Sequence, residues 1–166
     1  MDKLWAPWRI KYVSARHYKG CVFCKAAKHP SQGADFVVFK TKYSLCILNI
    51  FPYNNGHVMV CPTRHTRDIS SLSPAEVLDL FDAVKTAKGL LDKTLKPDGY
   101  NMGINLSRAA GAGIVGHLHV HIVPRWIGDT NFMPVATGTK VISQSLKQLH
   151  KLLKSAYAKA NTRVRR

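Results

Sequence analysis

The sequence predicts an α+β fold: an antiparallel sheet carrying one long central helix and a C-terminal helix. Three observations predict it. Short runs of strand formers alternate with turn clusters. A helix start with all its signals stands at Ser73-Pro74-Ala75-Glu76. An amphipathic stretch closes the chain. The 166 residues are 46% hydrophobic, which suits one domain with one sizeable core. No stretch of ~18 apolar residues is present, so nothing is expected to span a membrane.

Residues 1–20 are aromatic and basic, with turn residues. They lack a basic region followed by an apolar run, so no secretory signal is expected and a cytoplasmic location is. Phe36-Val37-Val38-Phe39 and Leu45-Cys46-Ile47-Leu48 read as strands. Pro52-Tyr53-Asn54-Asn55-Gly56 is a turn cluster, and His57 to Cys61 reads as the returning strand of a hairpin, ended by Pro62. The central helix opens with a Ser73 cap, a proline at the first position and a capping-box Glu76. Val77, Leu80, Phe81 and Val84 follow at helical spacing, and the helix stops before Pro97. Tyr100 to Leu106 and His117 to Val123 read as the next strands. The final helix is predicted from about Ser143 to Ala160, with Leu146, Leu149, Leu153 and Tyr157 on one face.

The net charge of +16 invites a nucleic-acid reading, but its distribution argues against one. Lys140 to Arg166 holds 8 basic and no acidic residues, while the remainder holds 17 basic and 9 acidic, a net of +8. The end of the chain, residues 161–166, reads as a solvated, frayed basic tail. A basic body suits an anionic small substrate.

His117-Leu118-His119-Val120-His121 is the strongest chemical signal. Side chains alternate across a strand, so the three histidines share one face while Leu118, Val120 and Ile122 share the other. Surface histidines or a metal site are the competing readings. The chemistry fits phosphoryl groups: a neutral imidazole nitrogen attacks phosphorus, its other nitrogen donates a hydrogen bond that fixes the tautomer, and flanking imidazoles stabilise phosphate charge. Just before the triple, Gly111-Ala112-Gly113-Ile114-Val115-Gly116 is small enough for backbone N–H groups to approach an anion. A plain connecting loop would carry the same glycines.

These residues resemble the histidine triad (HIT) family, whose signature is His-x-His-x-His followed by apolar residues, here continued as Ile122-Val123-Pro124-Arg125-Trp126. A second landmark, a Gly-His strand ending in proline, stands as Gly56-His57-Val58-Met59-Val60-Cys61-Pro62. The resemblance covers roughly Leu4 to Val135. Leu4-Trp5-Ala6-Pro7-Trp8-Arg9 and Pro124 to Phe132 are similar to a bacterial-type branch of diadenosine tetraphosphate phosphorylases and dinucleoside polyphosphate hydrolases. The resemblance implies a HIT-type domain over residues 1–160, assembled as a homodimer. It implies His119 as nucleophile, His121 as phosphate contact and His57 as a supporting histidine. Asn49 corresponds to the ribose contact and Asn105 to a polar amide near the scissile phosphate. Gly111 and Gly113 fall in the phosphate turn, Trp126 in the branch-specific segment, and Phe23 and Ile47 in the walls of an apolar base pocket. The chain departs from many members in one respect. Ala112-Gly113-Ile114 carries no side-chain donor where Gln or Ser is common, which leaves backbone contacts to phosphate there.

Cys21-Val22-Phe23-Cys24 has zinc-ligand spacing but needs two more ligands. Free thiols are the alternative, and a disulfide is not expected in a cytoplasmic protein. The resemblance supplies His65 and His117 as partners in a structural zinc site. Cys46 and Cys61 sit in apolar runs and read as core residues. No organic cofactor is expected. The expected activity is cleavage of dinucleoside polyphosphates through a nucleotidyl-histidine, with water or phosphate as acceptor. Removal of lysine-linked nucleotide, and a nucleotide- or RNA-binding module, are the alternatives. Nucleic acid and membrane are not expected partners.

Overall fold

The computed structural model describes residues 20–29, 36–132, 134, 136 and 141–164. Leu4 to Arg9, part of the branch resemblance, and Arg165-Arg166 of the tail lie outside the described residues. Helix α1 spans Val22–Lys28. Strands β1, β2 and β3 span Val37–Lys40, Ser44–Leu48 and Val58–Pro62. Helix α2 spans Pro74–Leu95, strands β4 and β5 span Gly99–Ile104 and Val120–Arg125, and helix α3 spans Leu146–Val164. The strands form one antiparallel sheet in the order β1-β2-β3-β5-β4. Among the described residues, no helix is long and apolar enough to cross a membrane.

Alternation along the strands builds two apolar layers. Cys46 and Leu48 of β2, Val58 and Val60 of β3, and Val120 and Ile122 of β5 face α2 and α3. They meet Leu80, Ala83, Ala87, Leu90 and Leu91 of α2 and Leu149 and Leu153 of α3. Each Val, Leu or Ile among them, removed from water, contributes about 1.5–3 kcal/mol. Leu45 and Ile47 of β2 and Met59 and Cys61 of β3 face the other way, against Phe23, Ala26 and Ala27 of α1. A register shift between Val37 and Phe39 breaks the alternation in β1. It lets the neighbours Val38 and Phe39 both join the larger layer, since a bulge adds one residue to one strand.

The capping box of α2 is complete: Ser73 Oγ accepts from Glu76 N–H at 3.3 Å, and Glu76 Oε2 accepts from Ser73 N–H at 2.8 Å. Arg64 adds a two-pronged contact to Glu76 at 2.9 and 3.1 Å, which holds that carboxyl down at about 2. The helix ends at Lys96 in the left-handed region (φ 47°), with its N–H on the Leu91 carbonyl.

Four expectations need correction. The last strand begins at Val120, not His117. Before it, His117 to His119 are tied by Leu118 N–H, which donates to the Thr66 carbonyl at 2.6 Å, a single pairing rather than a ladder. The strand before the glycine turn ends at Ile104, not Leu106. The last helix starts at Leu146, not Ser143, and runs past Ala160 to Val164. Finally, Val77 and Phe81 share the predicted apolar spacing of α2 yet stand exposed, at 37% and 58%. The buried face is instead carried by Leu80 and the small Ala83 and Ala87, which allow the helix close to the sheet. Leu146, Leu149 and Leu153 are buried as expected, and Tyr157 stacks on Phe39 at 4.7 Å.

Candidate active site

The histidines occupy the sheet face opposite α2. His121 pairs in register with Met59, so both point away from the larger core. His119 lies two residues earlier, and the two rings meet edge to face at 4.8 Å. His57, one residue before β3, reaches the same place from the neighbouring strand and is fully buried.

Hydrogen bonds fix which nitrogen of each ring carries a proton. Tyr53 N–H can only donate, so His57 Nδ1, at 3.0 Å, accepts. The proton of neutral His57 therefore sits on Nε2, which donates to His121 Nδ1 at 2.9 Å. His121 in turn carries its proton on Nε2. His119 Nδ1 donates to the His117 carbonyl at 2.8 Å, which leaves a bare lone pair on Nε2. The Nε2 atoms of His119 and His121 have no hydrogen-bond partner among the described residues. Burial keeps the rings neutral. It pulls His57 down to about 3, aided by His121 and His119, and His121 down to about 4, aided by His119. Burial likewise lowers His119, against the opposing pull of its bond to the His117 carbonyl. One imidazole thus offers only a lone pair and the next only an N–H, a nucleophile and a donor side by side.

The remaining expected residues fall around this pair. Asn49 is buried with its Nδ2 at 3.3 Å from His57 Nδ1, and its Oδ1 accepts from Phe51 N–H at 2.9 Å. Phe23 touches both His117 and His119 at 5.2 Å between rings, and Ile47 lies in the same apolar layer. Ile114 packs on that layer and brings the glycine turn to it. Within the turn, Gly111 N–H is taken by the Arg108 carbonyl and Ala112 N–H by the Ser107 carbonyl. Gly111 holds a φ of +82°, and both Gly111 and Gly113 face open space. Asn105 is half-buried at the end of β4. Trp126 is half-buried beyond β5, its N–H on Asp129 Oδ2 at 3.2 Å.

Cys21, Cys24, His65 and His117 each offer one ligand atom, all within 4.8 Å of one another. Cys21 Sγ lies 3.1 Å and Cys24 Sγ 3.6 Å from His117 Nδ1, and Cys24 Sγ lies 3.3 Å from His65 Nδ1. A tetrahedral ion with ordinary zinc bond lengths separates sulfur from nitrogen by about 3.6 Å, so the donor set fits. His117 Nε2 donates to the Pro62 carbonyl at 2.8 Å, which leaves Nδ1 free to ligate.

Sequence reasoning missed the Tyr53 ring, which covers His57 at 4.7 Å and lies nearly parallel to His121 at 5.7 Å. Its signal was an aromatic in a proline- and glycine-bounded turn four residues before His57. It also missed Asp129, whose carboxylate gathers Asn54 Nδ2 at 2.7 Å and Arg125 at 2.6 and 3.0 Å.

An antiparallel sheet that presents alternating histidines on one face, one as lone pair and one as donor, defines a histidine-triad protein. The chain belongs to the HIT family: a HIT domain matches residues 31–126. It is 34% identical to the AP-4-A phosphorylase of Mycobacterium tuberculosis over 96% of this chain and 86% of that protein. It is 37% identical over 56% of its length to the asymmetrical bis(5'-nucleosyl)-tetraphosphatase of Schizosaccharomyces pombe, covering 50% of that protein. Its fold is similar to that of a zinc-bound histidine triad family protein from Mycobacterium smegmatis. There the TM-score is 0.68 at 26% identity, covering 86% of this chain and 96% of that one.

Proposed function

We propose that the protein cleaves dinucleoside polyphosphates such as diadenosine tetraphosphate by transferring a nucleoside monophosphate through His119. The observation that carries this is the bare Nε2 of His119, fixed by the 2.8 Å bond from Nδ1 to the His117 carbonyl. Nε2 attacks the α-phosphorus, the bond to the bridging oxygen breaks, and the rest of the polyphosphate departs as a nucleotide. Water or inorganic phosphate then attacks the nucleotidyl-histidine and restores His119. His121 Nε2–H donates to a phosphate oxygen as charge builds there, and His57 holds His121 in that tautomer. Asn49 Oδ1 keeps a second lone pair for a ribose hydroxyl. Phe23 and Ile47 wall the base, Asn105 meets the substrate near the scissile phosphate, and Trp126 belongs to the nucleotide site. Gly111 shapes the phosphate turn, and amides from Gly113 onward remain for the anion.

The acceptor is read as phosphate, supported by the 34% identity to a protein named for phosphorolysis. Incubation with diadenosine tetraphosphate tests both points. ATP and ADP formed only when phosphate is present is the expected result, and ATP with AMP would make the acceptor water. Two ADP formed without phosphate would move the attack to the β-phosphorus and overturn the reading.

The Cys21, Cys24, His65 and His117 cluster is read as a structural zinc site. Zinc there ties α1 to the entry of β5 and takes no part in the chemistry. The protein is also read as a homodimer in the cytoplasm. β4 is an edge strand with Asn101, Met102 and Gly103 exposed. Tyr100 of β4 donates to Asp92 of α2 at 2.7 Å. Leu78 and Phe81 lie on the same helical stripe as Asp92 and are 66% and 58% exposed. The edge strand and these exposed apolar residues are the surfaces that pairing with a second copy would cover.

A further inference from the structure

The turn before β3 is fastened at nearly every residue except one. Pro52 is buried. Asn54 is buried, with Nδ2 bonded to the Pro124 carbonyl at 3.0 Å and Asp129 Oδ2 at 2.7 Å. His57 N–H donates to the Asn54 carbonyl at 3.2 Å. Gly56 sits at φ +78° where a Cβ would lie 2.5 Å from Leu95 Cδ1, so a side chain there strains the backbone and pushes Leu95 aside. Between these anchors, Tyr53 is 54% exposed. Its backbone is pinned by the N–H bond to His57 Nδ1 and its ring rests on His57 and His121. Its phenol makes no hydrogen bond among the described residues. A fastened turn that holds a solvent-facing phenol, uncommitted to any protein partner, beside a reacting pair has the arrangement of a ligand contact.

The rings also give Tyr53 a side. Phe23, His119, His121 and Tyr53 follow one another at 5.2, 4.8 and 5.7 Å. Phe23, read as a wall of the base pocket, touches His117 and His119, whereas Tyr53 touches His57 and His121, the pair read as serving phosphate, so the Tyr53 ring lies at the phosphate end of the site. The glycine turn cannot serve the departing phosphates with side chains, because Ala109 to Gly116 contains none that is polar.

We propose that Tyr53 is a specificity-determining residue for the leaving group. Its phenol O–H donates to an oxygen of the phosphates beyond the scissile bond, so the enzyme favours substrates that depart as nucleoside polyphosphates. This rests on the nucleotide-transfer reading above. Tyr53→Phe tests it, since the ring and its packing on the histidines stay while the donor goes.

Two substrates are compared in the parent and the variant: diadenosine tetraphosphate, and adenosine monophosphate p-nitrophenyl ester, whose leaving group has no phosphate. For the tetraphosphate, kcat/KM should fall about tenfold or more, as expected for losing a hydrogen bond to a charged acceptor. For the ester it should stay within about twofold. Calorimetry should show weaker binding of ADP and unchanged binding of AMP. Equal losses on both substrates would make Tyr53 a support for the histidines and overturn the proposal, as would no loss on either. A parent protein that cleaves neither substrate fails the nucleotide-transfer reading itself, a pattern distinct from both.

Discussion

His119 would do its chemistry with one nitrogen, and a carbonyl two residues back decides the state of that nitrogen. Replacing His119 with alanine removes the covalent route and not merely one contact. Turnover of diadenosine tetraphosphate should fall by several orders of magnitude while nucleotide binding, followed by calorimetry, persists. Activity within tenfold of the parent, about 1.4 kcal/mol in barrier, would remove His119 from the role. The gathering of His117, His119 and His121 was legible in the sequence from their alternate spacing, although only His121 lies in β5 and the other two precede it. The proton positions were not. They depend on Tyr53 N–H, the Pro62 carbonyl and the His117 carbonyl, and backbone groups are the same in every sequence.

At the scale of elements, α1 shows where local reading stops. It has seven residues, no side-chain cap and no acidic residue in its first turn, so nothing local announces a helix. It forms because Phe23, Ala26 and Ala27 bury against β2 and β3, and because its Cys-x-x-Cys faces His65 and His117. The cysteine spacing was readable, whereas the helix that delivers it is a product of packing. Metal analysis of the purified protein should find about one zinc per chain. Cys21→Ser should lose it and lower the melting temperature by several degrees, since each kcal/mol moves a domain of this size by about 2–4 °C. A metal-free parent protein as stable as a zinc-loaded one would rule the structural site out. The capping box of α2 was predicted in full because its partners are three residues apart. The exposure of Val77 and Phe81 was not, because helical spacing marks a stripe without saying what covers it.

For the whole molecule, the proposed dimer would bury the exposed stripe of α2 and the edge strand β4. The parent should sediment as a dimer, and Phe81→Lys, which sets a charge in that apolar surface, should shift it to monomer. A parent that sediments as a monomer would overturn the dimer reading. The positive excess of the chain draws in anions of many kinds, yet the imidazoles at the site are uncharged. The run of hydrogen bonds from Tyr53 N–H through His57 to His121 has a direction, and its first member is an amide that cannot turn around. Reversing any link would set two donors, or two lone pairs, against each other. The far end therefore presents a hydrogen and never a lone pair, so at His121 an oxygen of a phosphate finds a donor, while a group carrying only protons, such as an ammonium, finds none of the acceptor it needs there. An amide of the main chain thereby sets the polarity of a side chain two hydrogen bonds away without spending a charge on the task.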